Sequence, residues 1–286
     1  MNDAALTVTV WDVGHGLAVW LKTPSGHSHW IDCGCETDFS PSQHVQSAHG
    51  VKGIDYLIIS HPDADHLQDL PTFLETFGAP RVFTRNTTLP EAERYGSETL
   101  AFQQGLKQLD RTHTAPVPSG IEPWNPQYNG GVEVRSCSNA WSEVIQGNDT
   151  SVVAFYAFGG WLFVFPGDIE DKGWKALWAE KQSKFAPLIQ AAKWKVLIAP
   201  HHGRTSGYSQ SMMDTIMPQL TIVSDAAGQS ETDRRFRETP PGLNLKVRPS
   251  TEARLVKFLS TKQKGRVAFE ISESGSYTLH QYDYGQ

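Results

Sequence analysis

The sequence predicts an α/β protein folded as a four-layer αββα sandwich, with helices covering the outer faces of two packed sheets. Three observations predict it. Strand-like meanders open each half of the chain, segments of helical period are interspersed among them, and three separate predicted strands end in metal-ligand side chains. With 286 residues, 39% of them hydrophobic, and no internal repeat or low-complexity run, the chain suits a single domain over residues 1–286.

Val8 and Val10 alternate with Thr7 and Thr9, which predicts a strand from Leu6 to Asp12 stopped by Gly14 and Gly16. Leu17–Thr23 and His29–Asp32 flank the turn signal Pro24-Ser25-Gly26 and form a hairpin. Ile54–Ser60 is a short apolar run that reads as a buried strand delivering His61 into a loop. Leu67, Leu70, Leu74 and Phe77 have helical spacing, and Pro90–Leu109 is a second helical candidate. Thr112–Gly131, rich in Pro, Gly and Asn, reads as a surface excursion. Strands follow at Val132–Ser136 and, around the Gly159-Gly160 turn, across Val152–Phe165. The second half predicts helices at Glu170–Ser183, Gln210–Ile216 and Thr251–Leu259, with strands at Lys195–Ala199, Leu220–Ser224, Arg266–Ile271 and Ser276–Tyr282.

Composition excludes several classes of protein. The formal charge of −6 does not suit a strongly basic nucleic-acid binder, although two bound divalent cations would offset most of it. The apolar segment Val152–Pro166 is too short for a bilayer span and is broken by Gly159-Gly160. The first residues lack a basic stretch followed by an apolar run and a cleavage site, so a cytoplasmic protein is expected. Cys33, Cys35 and Cys137 lack the spacing of zinc or redox pairs and read as structural thiols in a reducing compartment.

The chemistry is concentrated in His61-Pro62-Asp63-Ala64-Asp65-His66, four potential ligands in six residues where a buried strand gives way to a helix. Imidazole and carboxylate together suit Zn²⁺ or Mn²⁺, and clustered acids are costly to bury without cations. A helix cap would need one oxygen and would leave both histidines without a role. Two further strands end in Pro166-Gly167-Asp168 and Pro200-His201-His202-Gly203. Each alone is a common turn sequence. Strand ends on one sheet edge converge in space, so the three together predict one site.

These motifs resemble the metallo-β-lactamase superfamily and, within it, the soluble hydrolase domain of ComEC-type competence proteins. The resemblance covers about residues 6–280. It rests on Trp11-Asp12-Val13-Gly14-His15-Gly16-Leu17-Ala18, Ile31-Asp32-Cys33-Gly34, Ser60 to His66, Asn148 to Val153, Pro166-Gly167-Asp168, Pro200 to Ser206 and Ser260 to Phe269, in the family's order. It implies that His61 and Asp63 hold a first metal, that Asp65 and His66 hold a second, that Asp168 bridges them, and that His201 or His202 completes the second site. Asp63 stands where many members carry His, which favours a harder ion such as Mn²⁺. Asn148-Asp149 replaces the usual third-motif histidine. Arg248-Pro249-Ser250 stands where His-Pro-Ser is commoner, and Arg204 stands where Ser is frequent.

The resemblance further implies a metal-dependent hydrolase that cuts a phosphodiester, with DNA, RNA, a cyclic nucleotide or a phosphorylated wall or lipid group as substrate. Two cations acidify a shared water; Asp65 and Asp168 orient it, and His202, His201 or Arg248 serves the leaving oxygen. Arginine suits a phosphate, and Arg234, Arg235, Arg237, Lys246, Arg248 and Arg254 crowd the C-terminal part, where a solvated charged face is the competing reading. Hydrolysis of a lactone or thioester, and a binding module without catalysis, are the rival functions. Protein partners are not legible.

Overall fold

The computed structural model describes residues 5–281 apart from 37, 97–99, 227–231, 251 and 264. Its strands are β1 Ala5–Val10, β2 Ala18–Lys22, β3 Ser28–Cys33, β4 Tyr56–Ile58, β5 Val82–Thr84, β6 Glu133–Cys137, β7 Val153–Phe158 and β8 Trp161–Phe165. They continue as β9 Trp194–Ile198, β10 Leu220–Val223, β11 Leu243–Arg248, β12 Ala253–Val256, β13 Phe258–Ser260, β14 Val267–Ser272 and β15 Tyr277–Gln281. The helices are α1 Pro41–His49, α2 Leu70–Phe77, α3 Glu91–Tyr95, α4 Ala101–Thr112, α5 Asp171–Ala191, α6 Gln210–Ile216 and α7 Arg235–Glu238.

Among the described residues the strands form two sheets. One is ordered β12-β11-β15-β14-β1-β2-β3-β4-β5 and the other β13-β10-β9-β8-β7-β6. Strand alternation divides their apolar side chains between three cores. Val8, Val10, Val19, Ile31 and Ile58 meet Tyr156, Phe163, Phe165 and Val196 between the sheets. Trp20, Trp30 and Leu57, of opposite parity, pack under α1, α2 and α4 with Leu70, Phe73 and Leu106. Phe155, Val164 and Leu197 pack under α5 and α6 with Trp174, Phe185 and Met212. Three apolar cores between four layers establish the expected α/β sandwich.

Several local expectations change. The expected helix Thr251–Leu259 is instead β12 and β13 where described, because β12 pairs antiparallel with β11 and β13 pairs parallel with β10. These partners are remote in sequence, so no local period announces them. Thr251 and Tyr282, at the limits of two expected elements, lie outside the described residues. The candidate helix Pro90–Leu109 is two helices, α3 ending at Tyr95 with Gly96 as its cap and α4 beginning at Ala101. Helix α5 runs past Ser183 and over Pro187 to Ala191, because Phe185, Leu188 and Ile189 keep burying its apolar face. Helix α1 has no apolar period to announce it: it buries Pro41, Ser42 and Val45, and its sequence signals are the Ser40 cap and Gly50 at its end.

All three cysteines are unpaired, and Cys33 is buried in the core beneath α1 and α2. Trp11, Trp30, Trp161 and Trp174 are fully buried, in agreement with a packing role.

His29, on the inner face of β3, lies edge-on to Tyr56 with its Nδ1 3.2 Å from the Tyr156 hydroxyl. Burial lowers its pKa from 6.5 to about 3. Between those values the unfolded chain binds a proton that the folded chain refuses, so stability rises with pH across that window, by about 1.4 kcal/mol per pH unit from this group. His29→Gln keeps a polar contact without a titrating ring. The loss of unfolding free energy between about pH 7 and about pH 4.5, measured by urea denaturation, is expected to be smaller in this variant by about 2 kcal/mol; equal losses would show that His29 takes up its proton inside the fold.

Candidate metal centre

Strands β3 and β4 run parallel, as do β8, β9 and β10, and the segments after their C-terminal ends meet at one edge of the sandwich. Asp32 comes from the end of β3, His61 to His66 follow β4, Asp168 follows β8, and His201 and His202 follow β9. The loop after β1 adds His15. Gly16, at φ +157°, lets this loop pack on the Asp65 carbonyl, which a Cβ there would meet at 2.4 Å. Gly167, at φ +59°, serves the facing sheet, since its Cβ would strike that of Ser60 at 2.7 Å.

Hydrogen bonds at the back of the site set the imidazole tautomers. His66 Nδ1 donates to Asp32 Oδ2 at 2.8 Å, and His202 Nδ1 donates to the Ser224 carbonyl at 3.2 Å. Ser60 Oγ donates to Asp32 Oδ2 at 2.6 Å and therefore accepts from His61 Nδ1 at 3.0 Å. Each of the three rings thus points a bare Nε2 forward. His66 Nε2 and His202 Nε2 are 3.1 Å apart, while His61 Nε2 is buried and has no hydrogen-bond partner.

Asp168 faces all three. Its carboxylate oxygens lie 3.2 Å from His66 Nε2, 3.5 Å from His202 Nε2 and 3.8 Å from His61 Nε2. Donor atoms held tetrahedrally at about 2.0–2.1 Å from an ion are separated by about 3.3 Å, so this spacing and the orphaned nitrogen both fit a divalent cation. Two groups of donors emerge, His61 with His66 and Asp168, and His15 with Asp65 and His202. The structure therefore places His66 with His61, whereas the resemblance pairs His66 with Asp65.

The remaining candidates separate by position. Asp63 is mostly exposed, with Oδ2 3.6 Å from His61 Nε2. His202 Nε2 is 3.1 Å from Asp65 Oδ2, which makes it the inner member of the histidine pair. His201 sits at the rim, its Nε2 3.8 Å from Asp168 Oδ2 and its Nδ1 3.2 Å from Glu170 Oε1. Both histidines have positive φ, 50° and 52°, backbone strain that turns adjacent rings toward one site. Arg248 is not brought in: it is exposed at the end of β11, three strands from β1, and shares no hydrogen bond or ion pair with the cluster. Asp149 accepts from the backbone N–H groups of Glu170 and Gly173, so it caps α5.

Charges compensate inside the cluster. Burial alone would raise the Asp168 carboxyl, but its interactions with His66, His202 and His61 hold it well below its ordinary range. Burial likewise opposes protonation of His66, and Asp168 and Asp32 outweigh it, raising that ring. Asp65 is held low against burial by His202 and His66.

Sequence reasoning missed Asp32, Ser60 and His15 as working residues, although all three stood in quoted motifs. The pattern Gly14-His15-Gly16 after a strand was the available signal for His15.

Fold and site together define the metal-dependent hydrolases of the metallo-β-lactamase superfamily, and the chain belongs to that superfamily, whose family model matches residues 14–169. It is 25% identical over 278 residues to Competence protein ComA of Neisseria gonorrhoeae, covering 96% of this chain and 33% of that protein. It is 20% identical over 289 residues to ComE operon protein 3 of Bacillus subtilis (strain 168), covering 94% and 34%. The chain thus spans about a third of the length of these curated relatives. Among solved structures it is similar to a diphosphatase of the PhnP family (TM-score 0.46, 15% identity, 94% of this chain and 98% of that one). It is also similar to the metallo-β-lactamase fold protein YhfI from Bacillus subtilis (TM-score 0.45, 12% identity, 93% and 99%).

Asp32→Asn preserves shape but replaces one acceptor oxygen with a donor facing Ser60 or His66. Metal affinity measured by chelator competition is expected to fall about 10- to 100-fold with the fold retained. Unchanged affinity would show that Asp32 does not orient a ligand.

Proposed function

We propose that this protein is a phosphodiesterase that uses two divalent cations, Zn²⁺ or Mn²⁺, on a phosphodiester such as DNA or RNA. The observation that carries the metal-dependent part is the convergence of three bare imidazole nitrogens on the buried Asp168 carboxylate. Likeness to the ComEC-type domains supports the phosphodiester. His61, His66 and Asp168, with Asp63 beside them, would hold one cation; Asp65 and His202, sharing Asp168, would hold the other. Bound cations supply an acidified water and positive charge at the attacked group.

The chain's own residues divide the remaining work. Asp65, with about a quarter of its side chain open to solvent, orients the attacking water and accepts its proton. His201 protonates the leaving oxygen from the rim, its ring oriented by Glu170. His202, drawn inward among the cluster's donors, is assigned to metal binding.

Asp168→Ala removes the carboxylate common to both groups. We expect at least a 100-fold loss of kcat/KM on bis(p-nitrophenyl) phosphate, loss of bound metal by elemental analysis, and unchanged circular dichroism. Activity near wild type would remove Asp168 from the centre. Wild-type turnover of lactones or thioesters in place of phosphodiesters would change the substrate class, and a protein that takes up no metal would be a binding module.

A further inference from the structure

Arg204 follows the histidine pair after Gly203 and reaches across to the other sheet's loop. Its Nη2 donates to His15 Nε2 at 2.7 Å, and its Nη1 stands 3.5 Å from His201 Nε2. Those two ring nitrogens lie 3.5 Å from Asp65 Oδ2 and 3.8 Å from Asp168 Oδ2, respectively. The guanidinium therefore spans the mouth of the centre, one imidazole removed from each acidic group.

Arg204 differs from other cations of the molecule. Arg235 forks onto Asp233, Arg85 and Arg94 share Asp110, and Lys262 pairs with Asp225 beside His15. Among the described residues no carboxylate lies within 4.0 Å of Arg204, and its Nε is buried with no hydrogen-bond partner. A guanidinium is always charged, and its planar fork matches the oxygens of a phosphoryl group. Here that charge faces the site with ring nitrogens of His15 and His201 as its hydrogen-bond partners. Among the described residues a surface ion pair, the ordinary use of an arginine, has no carboxylate with which to form.

We propose that Arg204 is a substrate-binding residue, which grips a non-bridging oxygen of the phosphoryl group beside the metal centre while His15 and His201 hold its fork in position. The proposal rests on the phosphodiester reading above and adds the residue that selects an anionic substrate. An oxyanion seated there gains two charge-assisted donors, whereas a neutral ester gains little.

The test compares wild type, Arg204→Ala and Arg204→Lys for kinetics on bis(p-nitrophenyl) phosphate, inhibition by inorganic phosphate, calorimetric phosphate binding and metal content. For Arg204→Ala, KM and the inhibition constant for phosphate are expected to rise about 10- to 100-fold, with kcat changed less and metal content unchanged. Arg204→Lys, which restores charge without the fork, should lie between. Unchanged KM and phosphate affinity would overturn the proposal, and so would metal loss in proportion to lost activity, which would make Arg204 a support for His15 and His201. Calorimetry separates this from the broader reading. If wild type turns over no phosphodiester, a phosphate affinity that still depends on Arg204 supports the anion site, and phosphate that binds both proteins equally, or neither, refutes it.

Discussion

The centre depends on one buried carboxylate, Asp32. Its oxygens accept from the Ser60 N–H and O–H, both at 2.6 Å, and from His66 Nδ1, while its own carbonyl accepts from Trp30 Nε1 at 2.7 Å. A carboxylate without exposure is costly unless its lone pairs are filled, and here the donors come from the first and last residues of the ligand loop. Asp32 thereby ties the end of β3 to the loop after β4 and sets which nitrogens of His61 and His66 face forward. Its φ of 55° is an unusual conformation for a side-chain-bearing residue, one that aspartate tolerates better than most.

The cluster belongs to neither sheet alone. His15, His61, Asp65 and His66 follow strands of the nine-stranded sheet, and Asp168, His201 and His202 follow strands of the other. Sub-4 Å contacts between the two sets therefore require the apolar core between the sheets to set their separation. A close-packed interior resists such adjustment, which is how Val and Phe side chains far from the chemistry determine its distances. Backbone strain at His201 and His202 is sustained by the same packing.

The site is acidic toward its ligands and basic at its mouth. Asp65 and Asp168 face inward, the histidines separate them from Arg204, and Lys262 answers Asp225 on the far side of His15. Asp149 is taken up in capping α5. Asp63, partly open to solvent, stands beside the first donor group.

Strand alternation and helical period made the layered fold legible from β1 to β4, from β6 to β10 and at β14 and β15, because in those segments burial on one face is encoded by near neighbours. Dense clusters such as His61 to His66 announced the metal chemistry in the same way. Strands β11 to β13, of which β12 and β13 lie at sheet edges, were decided by pairing with distant segments, and α1 by contacts that bury only part of a polar helix. Tertiary structure alone sorted the ligands. It turned His202 inward and His201 to the rim, brought His15 and Arg204, 189 residues apart in sequence, to 2.7 Å, and left Arg248 on β11, three strands from β1. Residue type is written in the sequence, but which lone pair faces which carboxylate is a matter of ångströms, set where two sheets meet.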